Sequence, residues 1–296
     1  MTLSRSAAAL PHGVAPSSAS DTPALTTPDS RLDAPSGPLS LTPIGTLASD
    51  YPDKFGIPRQ PGLAPSARAI LYLEAAFDDP LAVEGIDAFS HLWLSFVFDR
   101  SPTTWSPRVR PPRLGGNQRV GVFASRSPHR PNRLGLSLVE LVKVELSTRP
   151  TAAAEPIAGS PLAARRSRVK LHLRGHDLCD ATPIVDIRPY LPWAESQPQA
   201  RAGFAPAAPA PMAVGFSDSA RRALAAHADG AGLSALIEEV LAQDPRPAYH
   251  ARAGGDSGRE YGVCLRDVNV RFRAISDDTG DSLQVIAIEP RASGAV

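Results

Sequence analysis

Arginine dominates the segment from Arg100 to Val139, which contains eight arginines, no lysine and no acidic residue. Six prolines and several glycines lie in the same segment, so its backbone is restricted at some positions and free to adopt unusual conformations at others. A solvated surface normally mixes both signs of charge, because like charges repel one another. An arginine-only segment that also carries glycine is typical of a site for a phosphate-rich or nucleotide-like ligand.

The composition of the whole chain limits the chemistry available to this segment. Its 296 residues carry a formal net charge of +1, so positive charge is concentrated locally. Two cysteines, Cys179 and Cys264, lie far apart, which argues against a disulfide framework or a zinc knuckle and fits a cytoplasmic location. His172 and His176 form the one close histidine pair, and no third histidine lies near them in the sequence. We therefore expect no metal site.

Familiar nucleotide and hydrolase motifs do not occur in the chain. It has no GxGxxG fingerprint, no GxxxxGK[ST] loop, no HExxH and no GxSxG elbow. Its apolar runs are too short to span a membrane, and its first 40 residues lack the apolar core of a secretory signal. Residues 1–40 are rich in Ala, Ser, Pro and Thr and are predicted to be a disordered tail. A transit peptide fits less well because the tail contains acidic residues.

Short apolar or alternating runs separated by Pro/Gly-rich loops fill residues 41–193 and predict strands. Repeated strands with few helical patterns favour a β-barrel or a β-sandwich. The expected strands are 44–47, 69–73, 91–98, 119–124, 136–146, 168–173 and 182–187. The low-complexity insert 149–165 is expected to be a solvent-exposed loop.

An Ala/Pro-rich linker is predicted at residues 194–211, followed by a small α+β domain over residues 212–291. Ser217 is a suitable N-cap for a helix that starts near Asp218. A second helix is expected over residues 233–242, with its apolar residues on one face. Alternation of apolar and polar residues over 268–274 predicts a strand buried on one side.

Six ordered motifs give the chain a specific resemblance to a known family. The segments Phe55–Gly62 (FGIPRQPG) and Phe89–Trp93 (FSHLW) are followed by Val109–Asn117 (VRPPRLGGN), which continues into Gly121–Ser127 and Arg130–Asn132. The series is completed by LCDATPIVD at residues 178–186, RPYLP at 188–192 and DPRPAY at 244–249. Together these motifs resemble the TsaA/TrmO family over roughly residues 41–291.

The resemblance implies an S-adenosylmethionine-dependent methyltransferase that acts on tRNA. The acceptor would be N6 of N6-threonylcarbamoyladenosine beside the anticodon. It also implies a mainly β fold, in which a single-sheeted, non-Rossmann β-barrel binds the cofactor and a small C-terminal α+β domain follows, and it implies a homodimer.

The resemblance also implies a set of cofactor-binding residues, which lie in five segments of the chain. They are Arg59, Gln60, Pro61, Ser90, His91, Arg126, Leu136, Arg174, Gly175, His176 and Asp177. An ordinary turn remains the alternative for residues 59–61, and a core residue remains the alternative for His91 and Leu136. Asp180 is an alternative to Asp177 as the functional acid of its loop. His91 and Asp177 are candidates for the catalytic proton acceptor, which is otherwise unknown.

A second set of residues is assigned to tRNA or other substrate contacts. It comprises Arg108, Arg110, Arg113, Asn117, Arg119, Arg130, Asn132, Asp244, Arg246 and Tyr249. We expect Arg126 to serve the cofactor, and Arg108, Arg110, Arg113 and Arg119 to contact phosphates or a dimer partner. Asn117 is also suited to closing a turn, and the segment from Asp244 to Tyr249 to closing a domain interface.

Two other functions fit the same residues. One is a tRNA- or RNA-binding module without catalytic activity, whose affinity would depend steeply on salt. The other is a methyltransferase of the same fold with another acceptor. The composition gives no reason to expect a membrane partner.

Overall fold

Six strands close into a β-barrel in the computed structural model, which describes residues 39–114, 118–247, 258–277 and 280–291. These strands are β1 (Gly45–Ser49), β2 (Arg68–Leu73), β3 (His91–Val97), β6 (Leu134–Thr151), β7 (Ser167–Arg174) and β8 (Thr182–Pro189). Their order around the barrel is β1-β2-β7-β6-β3-β8, and every neighbouring pair is antiparallel. The prediction of a mainly β, non-Rossmann barrel is confirmed.

Alternating side chains fill the interior of the barrel. In β3, Leu92, Leu94 and Phe96 are buried, while the residues between them are partly exposed. Leu47, Leu71, Leu171 and Ile184 from four other strands belong to the same apolar cluster. Because successive side chains of a strand point to opposite faces, this alternation directs one face of each strand inward and leaves the other for loops and ligands.

The predicted strand over residues 119–124 is mostly wrong. The structure has a two-residue ribbon, in which β4 (Arg108–Val109) pairs with β5 (Val120–Gly121), and Val122–Ala124 then form a 3-10 turn. Val122 is buried, whereas Phe123 is 71% exposed. The apolar run therefore reflects one anchoring side chain in a turn rather than one face of a strand.

The insert is mostly a loop, as predicted, but it is not exposed to solvent along its whole length. Residues 149–151 extend β6, and the following residues fold back over the outside of the barrel. Ala153 and Ile157 are buried against Ala48, Ile70 and Tyr72. Ser160 donates a hydrogen bond to Oδ1 of Asp180 at 2.7 Å. The Ala/Pro-rich composition of the insert did not indicate that two of its apolar side chains are buried and hold it against the barrel.

Beyond the short helix α1 (Pro192–Glu195), the chain forms a second sheet with two helices. Its strands are β9 (Ala213–Phe216), β10 (Glu260–Leu265), β11 (Val268–Asp277) and β12 (Gly280–Pro290), in the order β10-β11-β12-β9. The helices are α2 (Asp218–Ala226), capped by the Ser217 hydroxyl as predicted, and α3 (Gly230–Leu241). Within the described residues, no helix is long and apolar enough to cross a membrane.

The barrel and the second sheet share one hydrophobic cluster, which contains Tyr51, Ala64 and Ala67 together with apolar residues of α3 and the sheet. Beside it, Nε of the buried Arg266 lies 3.1 Å from Oδ1 of the buried Asp50. Asp229 accepts from Arg266 at 2.9 Å and lies 3.3 Å from Arg68. We call these four charged residues the junction network. The described residues from Leu41 onward form one compact unit, and the predicted boundary at residues 194–211 stays a prediction.

Candidate active site

A cleft of about 790 Å³ opens beside one end of the barrel. It is lined by residues 57–60, 95–101, 134–136 and 177–179, together with side chains of the turn at 125–130. The end of β3, the start of β6 and the loop after β7 therefore supply most of its walls. Of the predicted cofactor-binding residues, five line this cleft: Arg59, Gln60, Arg126, Leu136 and Asp177.

Glycines place the loop of Arg59 and Gln60 at the cleft. Gly56 has a φ of +89°, and a Cβ at this position would overlap the side chain of Val263 in the second sheet. A side chain at position 56 would therefore be both strained and obstructed. Further along the loop, the amide of Gly62 donates to the carbonyl of Gly175 at 2.7 Å. This bond ties the PRQPG loop to the turn that carries Asp177.

Arg59 and Arg126 bring two positive charges to the cleft. The Arg126 guanidinium donates a hydrogen bond to Oε1 of Gln60 and makes no ion pair with a carboxylate among the described residues. The guanidinium of Arg59 has no hydrogen bond or ion pair with any residue that the structure describes, and both arginines are exposed. Guanidinium groups in this state are available to a carboxylate or phosphate ligand.

Asp177 contributes a half-buried carboxyl group to the same cleft. Ser137 donates a hydrogen bond to its Oδ1 at 2.6 Å. Burial raises the pKa of Asp177 to about 6, and the bond from Ser137, its own amide and the charge of Arg126 oppose that rise. A carboxyl group with this pKa lies close to the range in which general acid–base catalysts work.

Arg130 and Arg100 shape the walls of the cleft through bonds to the backbone. Arg130 donates to the carbonyl of Ser125 at 2.8 Å, and its guanidinium lies 5.6 Å from the centre of the Phe123 ring. Arg100 donates to the carbonyl of Asp180 at 2.7 Å and contacts Sγ of Cys179 at 2.9 Å. Arg130 thus closes the turn at 122–130, and Arg100 holds the loop after Asp177.

The side chains of His91 and His176 lie outside the cleft lining. His91 shares a hydrogen bond with the Ser90 hydroxyl at 2.9 Å, and its ring packs against Tyr190. His176 is fully buried, donates from Nε2 to the carbonyl of Arg68, and accepts the amide of Leu178 at Nδ1. Burial lowers the pKa of His176 to about 4, so this ring is neutral. It is a core histidine, which leaves only its backbone available to a ligand.

Pro61, Arg174 and Gly175 lie next to the cleft rather than in its lining. Arg174 is exposed at the end of β7, and Gly175 follows it with a φ of +68°. Glycine is favoured at this backbone conformation, which turns the chain toward Asp177. The four predicted residues 174–177 therefore run from the end of β7 into the following loop, and Asp177 is the one that lines the cleft.

Half of the ten residues predicted to bind tRNA lie at exposed positions. Arg108, Arg110, Arg113 and Arg119 are exposed, and none of them forms an ion pair with a described carboxylate. Arg108 donates to the carbonyl of Arg119 at 3.4 Å, and Arg113 donates to that of Ala207. Asn132 is exposed, whereas Asn117 and Tyr249 lie outside the described residues.

Asp244 and Arg246 form a pair with each other in the structure. Nε of Arg246 lies 2.7 Å from Oδ1 of Asp244, and Nη2 lies 3.1 Å from Oδ2. The side chain of Arg246 is 5% exposed. Asp244 itself has a φ of +46°, an uncommon conformation for a residue other than glycine. This geometry matches a structural turn, and contact of the segment with tRNA remains a prediction.

Sequence reasoning passed over Ser137 and Arg100. Ser137 occupies a fully buried position of β6 among apolar residues. Because buried polar side chains normally form hydrogen bonds, a serine in this apolar strand was the available signal of a partner. Arg100 is the first arginine of the arginine-only segment, but no motif singled it out. Among the described residues, no group of three or more His, Cys, Asp or Glu side chains is arranged to hold a metal ion.

Two family models cover most of the chain. The tRNA-methyltransferase O N-terminal domain matches residues 46–196, and the TrmO C-terminal domain matches residues 209–291. The chain belongs to the TrmO family. As a member of this family it is a methyltransferase, and the resemblance found in its motifs is confirmed.

Individual relatives agree with the family models. The chain is 47% identical over 251 residues to a protein of Escherichia coli (strain K12) named tRNA (adenine(37)-N6)-methyltransferase, covering 84% of this chain and 97% of that protein. It is 45% identical to a Pseudomonas aeruginosa protein, RcsF, named as a candidate S-adenosylmethionine-dependent methyltransferase, covering 79% of this chain and 91% of that protein. A crystal structure of TrmO from Pseudomonas aeruginosa superposes with a TM-score of 0.64 and 36% identity, covering 85% of this chain and 98% of that one.

Proposed function

We propose that this chain transfers the methyl group of S-adenosylmethionine to N6 of N6-threonylcarbamoyladenosine at position 37 of tRNA. The observation that carries the proposal is the 47% identity to the Escherichia coli tRNA (adenine(37)-N6)-methyltransferase over nearly all of that protein. That name supports the position and the atom that is methylated. The threonylcarbamoyl group on the acceptor rests on the motif resemblance.

The side chains in the cleft fit S-adenosylmethionine. Arg59 and Arg126 are exposed guanidinium groups suited to its carboxylate. Leu134 and Leu136, which are 39% and 54% exposed, offer apolar surface to its adenine. Asp177 adds a negative charge to a site that must accept a positively charged ligand. When bound, the cofactor supplies an electrophilic methyl group, and the task of the chain is to position the acceptor nitrogen and remove its proton.

Exposed arginines without carboxylate partners support tRNA as the substrate. We propose that Arg108, Arg110, Arg113 and Arg119 bind phosphates of the tRNA backbone. Arg130, Asn132 and the Asp244–Tyr249 segment are proposed to make other contacts with the tRNA, since Arg246 is already paired with Asp244. Each phosphate contact releases a counterion, so binding should weaken steeply as salt increases. Since tRNA is the substrate, we also propose that the protein acts in the cytoplasm.

We further propose a homodimer, as the family resemblance implies. Phe123 and Trp193 are 71% and 84% exposed and offer apolar surface that a second chain could cover. Light scattering of the purified protein tests this proposal. The mass of two chains is expected, and the mass of one chain would reject it.

Mass spectrometry of tRNA nucleosides from a strain lacking the gene tests the proposed reaction. We expect methylated N6-threonylcarbamoyladenosine to disappear and its unmethylated form to accumulate in the same tRNAs. A plasmid that encodes the intact chain should restore the methylated nucleoside. Unchanged nucleosides would reject the proposal and favour an RNA-binding module without catalysis or another acceptor.

A further inference from the structure

The two residues that the sequence singled out as proton acceptors lie in different surroundings. His91 forms its hydrogen bond with Ser90, packs on Tyr190, and does not line the cleft. Asp177 lines the cleft beside Arg126 and Leu136. A proton acceptor must lie within hydrogen-bond reach of the reacting atom. The position of Asp177 therefore favours it over His91.

Ser137 holds the Asp177 carboxyl group from inside the barrel wall. It belongs to β6, is fully buried, and pairs with Leu94 of β3. Its hydroxyl lies 2.6 Å from Oδ1 of Asp177, the length of a hydrogen bond to a charged acceptor. Ser137 does not line the cleft. It is therefore placed to act on Asp177 rather than on a ligand.

Few other charged or titratable groups bear on Asp177. The Arg126 guanidinium faces it from the turn at 125–130 and lowers its proton affinity. Tyr51, in the loop after β1, is close enough for the Asp177 charge to raise the pKa of the Tyr51 phenol, although burial raises that pKa more. His176, the preceding residue, is neutral and bonded to the backbone. Ser137 thus provides the direct side-chain hydrogen bond among these neighbours.

We propose that Asp177 accepts the N6 proton during methyl transfer, and that Ser137 is the positioning residue that sets the orientation and proton affinity of its carboxylate. This inference rests on the proposed function. As the bond between N6 and the methyl carbon forms, the bond between that carbon and sulfur breaks. Sulfur keeps the electron pair as a neutral thioether, and the N6 proton moves to Asp177 to give a carboxylic acid.

The surroundings of Asp177 suit this role chemically. N6 of a carbamoylated adenine is a poor nucleophile because its lone pair is delocalised. Loss of the N6 proton makes this nitrogen a better nucleophile. With a pKa of about 6, Asp177 is mostly ionised at neutral pH and is a stronger base than an ordinary aspartate. Ser137 engages one carboxylate oxygen, and the other makes no hydrogen bond with another described side chain.

Carbon-13 NMR of the aspartate carboxyl groups tests the action of Ser137 without any substrate. In the full-length wild-type protein, the carboxyl resonance of Asp177 should titrate near pH 6. This resonance is identified because it is missing from the spectrum of Asp177→Asn. Ser137→Ala removes a hydrogen bond to the ionised form of Asp177, so the titration midpoint of Asp177 should move upward by about one pH unit. Ser137→Cys, which keeps a weaker donor at nearly the same size, should move it in the same direction by less. An unshifted titration in both variants would overturn the role of Ser137.

Ser147→Ala is the matched control for these variants. Ser147 lies on the same strand, and its hydroxyl donates to the carbonyl of Arg149 at 2.7 Å instead of to a carboxylate. It should leave both the Asp177 titration and the pH–rate profile unchanged. A shift as large as that of Ser137→Ala would reject a specific effect of Ser137.

Methylation rates measured against pH test the proton transfer itself. The acid limb of kcat/KM should lie near pH 6 in the wild type and move upward in Ser137→Ala, while Asp177→Asn should lower kcat/KM about 100-fold or more. If Asp177→Asn weakens only cofactor binding and keeps the acid limb, Asp177 binds the sulfonium side of the cofactor and the inference is wrong. Methylation by Asp177→Asn at the wild-type rate would also reject it while leaving the proposed function intact. Absence of methylation by the wild type would instead reject the proposed function.

Discussion

The junction network and the cleft both contain arginines and aspartates, but their charges are satisfied in opposite ways. At the junction, Arg266 and Asp50 are 1% and 0% exposed and pair with each other. In the cleft, Arg59 and Arg126 are exposed and form no ion pair with a described carboxylate. Buried paired charges fix the packing of the second sheet against the barrel. Charges left open beside a cavity are available to a ligand.

Residue type alone does not distinguish the structural charges at the junction from the open charges in the cleft. Burial raises the pKa of Asp50 even though Arg266 and Arg68 lower it. Burial likewise raises the pKa of Asp177, where a serine hydroxyl and a more distant arginine oppose the rise. Asp50 is enclosed by protein, whereas Asp177 faces space that a substrate can enter. We therefore expect changes at the junction to affect stability and changes in the cleft to affect binding and catalysis.

Arg266→Met should produce the largest loss of stability. It leaves the Asp50 carboxyl group buried without its closest cation, and breaking a buried pair in this way costs about 3–5 kcal/mol. Urea denaturation should detect this loss in the free energy of unfolding. The double variant Asp50→Asn with Arg266→Met should recover part of it. The matched cleft variant, Arg59→Met, should change stability by less than about 0.5 kcal/mol. An equal loss in both arginine variants would show that the buried pair contributes no more to stability than an exposed arginine.

Arg126→Ala should reduce cofactor affinity without affecting the fold. Loss of one charge-assisted hydrogen bond to the cofactor carboxylate costs about 2 kcal/mol, so calorimetry should find S-adenosylmethionine binding weakened by about 10- to 100-fold. Arg149→Ala, at an exposed arginine on β6 outside the cleft lining, is the control and should bind as the wild type does. Unchanged affinity in Arg126→Ala would remove this arginine from the cofactor site.

Asp177→Asn should stabilise the protein slightly at neutral pH. The pKa of Asp177 is about 6 in the folded state, against an ordinary value of 3.8. At pH values between these two, the native state therefore binds more protons than the unfolded state. The wild type therefore loses stability as pH rises from about 4 to about 6, and the penalty is complete above pH 6. A pKa shift of this size lowers the free energy of unfolding by at most about 3 kcal/mol, and partial exposure of the carboxyl group reduces this penalty to about 1 kcal/mol.

Thermal unfolding measured across this pH range tests the sign of that effect. The melting temperature of Asp177→Asn should exceed that of the wild type at pH 7.5, and the difference should vanish below pH 4. A variant that is less stable than the wild type at pH 7.5 would show that the carboxylate stabilises the fold, contrary to its raised pKa.

Local patterns predicted much of the fold because they arise from neighbouring residues. Alternating burial in β3 and β11 follows directly from apolar residues at every second position, and Ser217 was recognisable as a helix cap. Patterns failed where long-range packing decided the structure. Ile157 is buried because the insert folds back onto Tyr72, a contact that its low-complexity sequence did not indicate.

The candidate site was only partly predictable for the same reason. The motifs placed Arg59, Arg126 and Asp177 in the site, and the structure brings these three to one cleft. Spacing along the chain did not reveal that Ser137, 40 residues earlier, bonds to Asp177. Nor did it reveal that His176 turns into the core, because the direction of a side chain in a turn depends on the surrounding backbone.

Defined tRNA substrates show whether the cleft methylates N6 of a threonylcarbamoylated adenosine. Purified protein should be incubated with S-adenosylmethionine and tRNA that either carries or lacks the threonylcarbamoyl group at position 37, and the nucleosides analysed by mass spectrometry. We predict methylated N6-threonylcarbamoyladenosine from the modified tRNA, no methylated product from the unmodified tRNA, and at least a 100-fold slower reaction with Asp177→Asn. Methylation of the unmodified tRNA, or of neither tRNA, would show that the threonylcarbamoylated adenosine is not the acceptor.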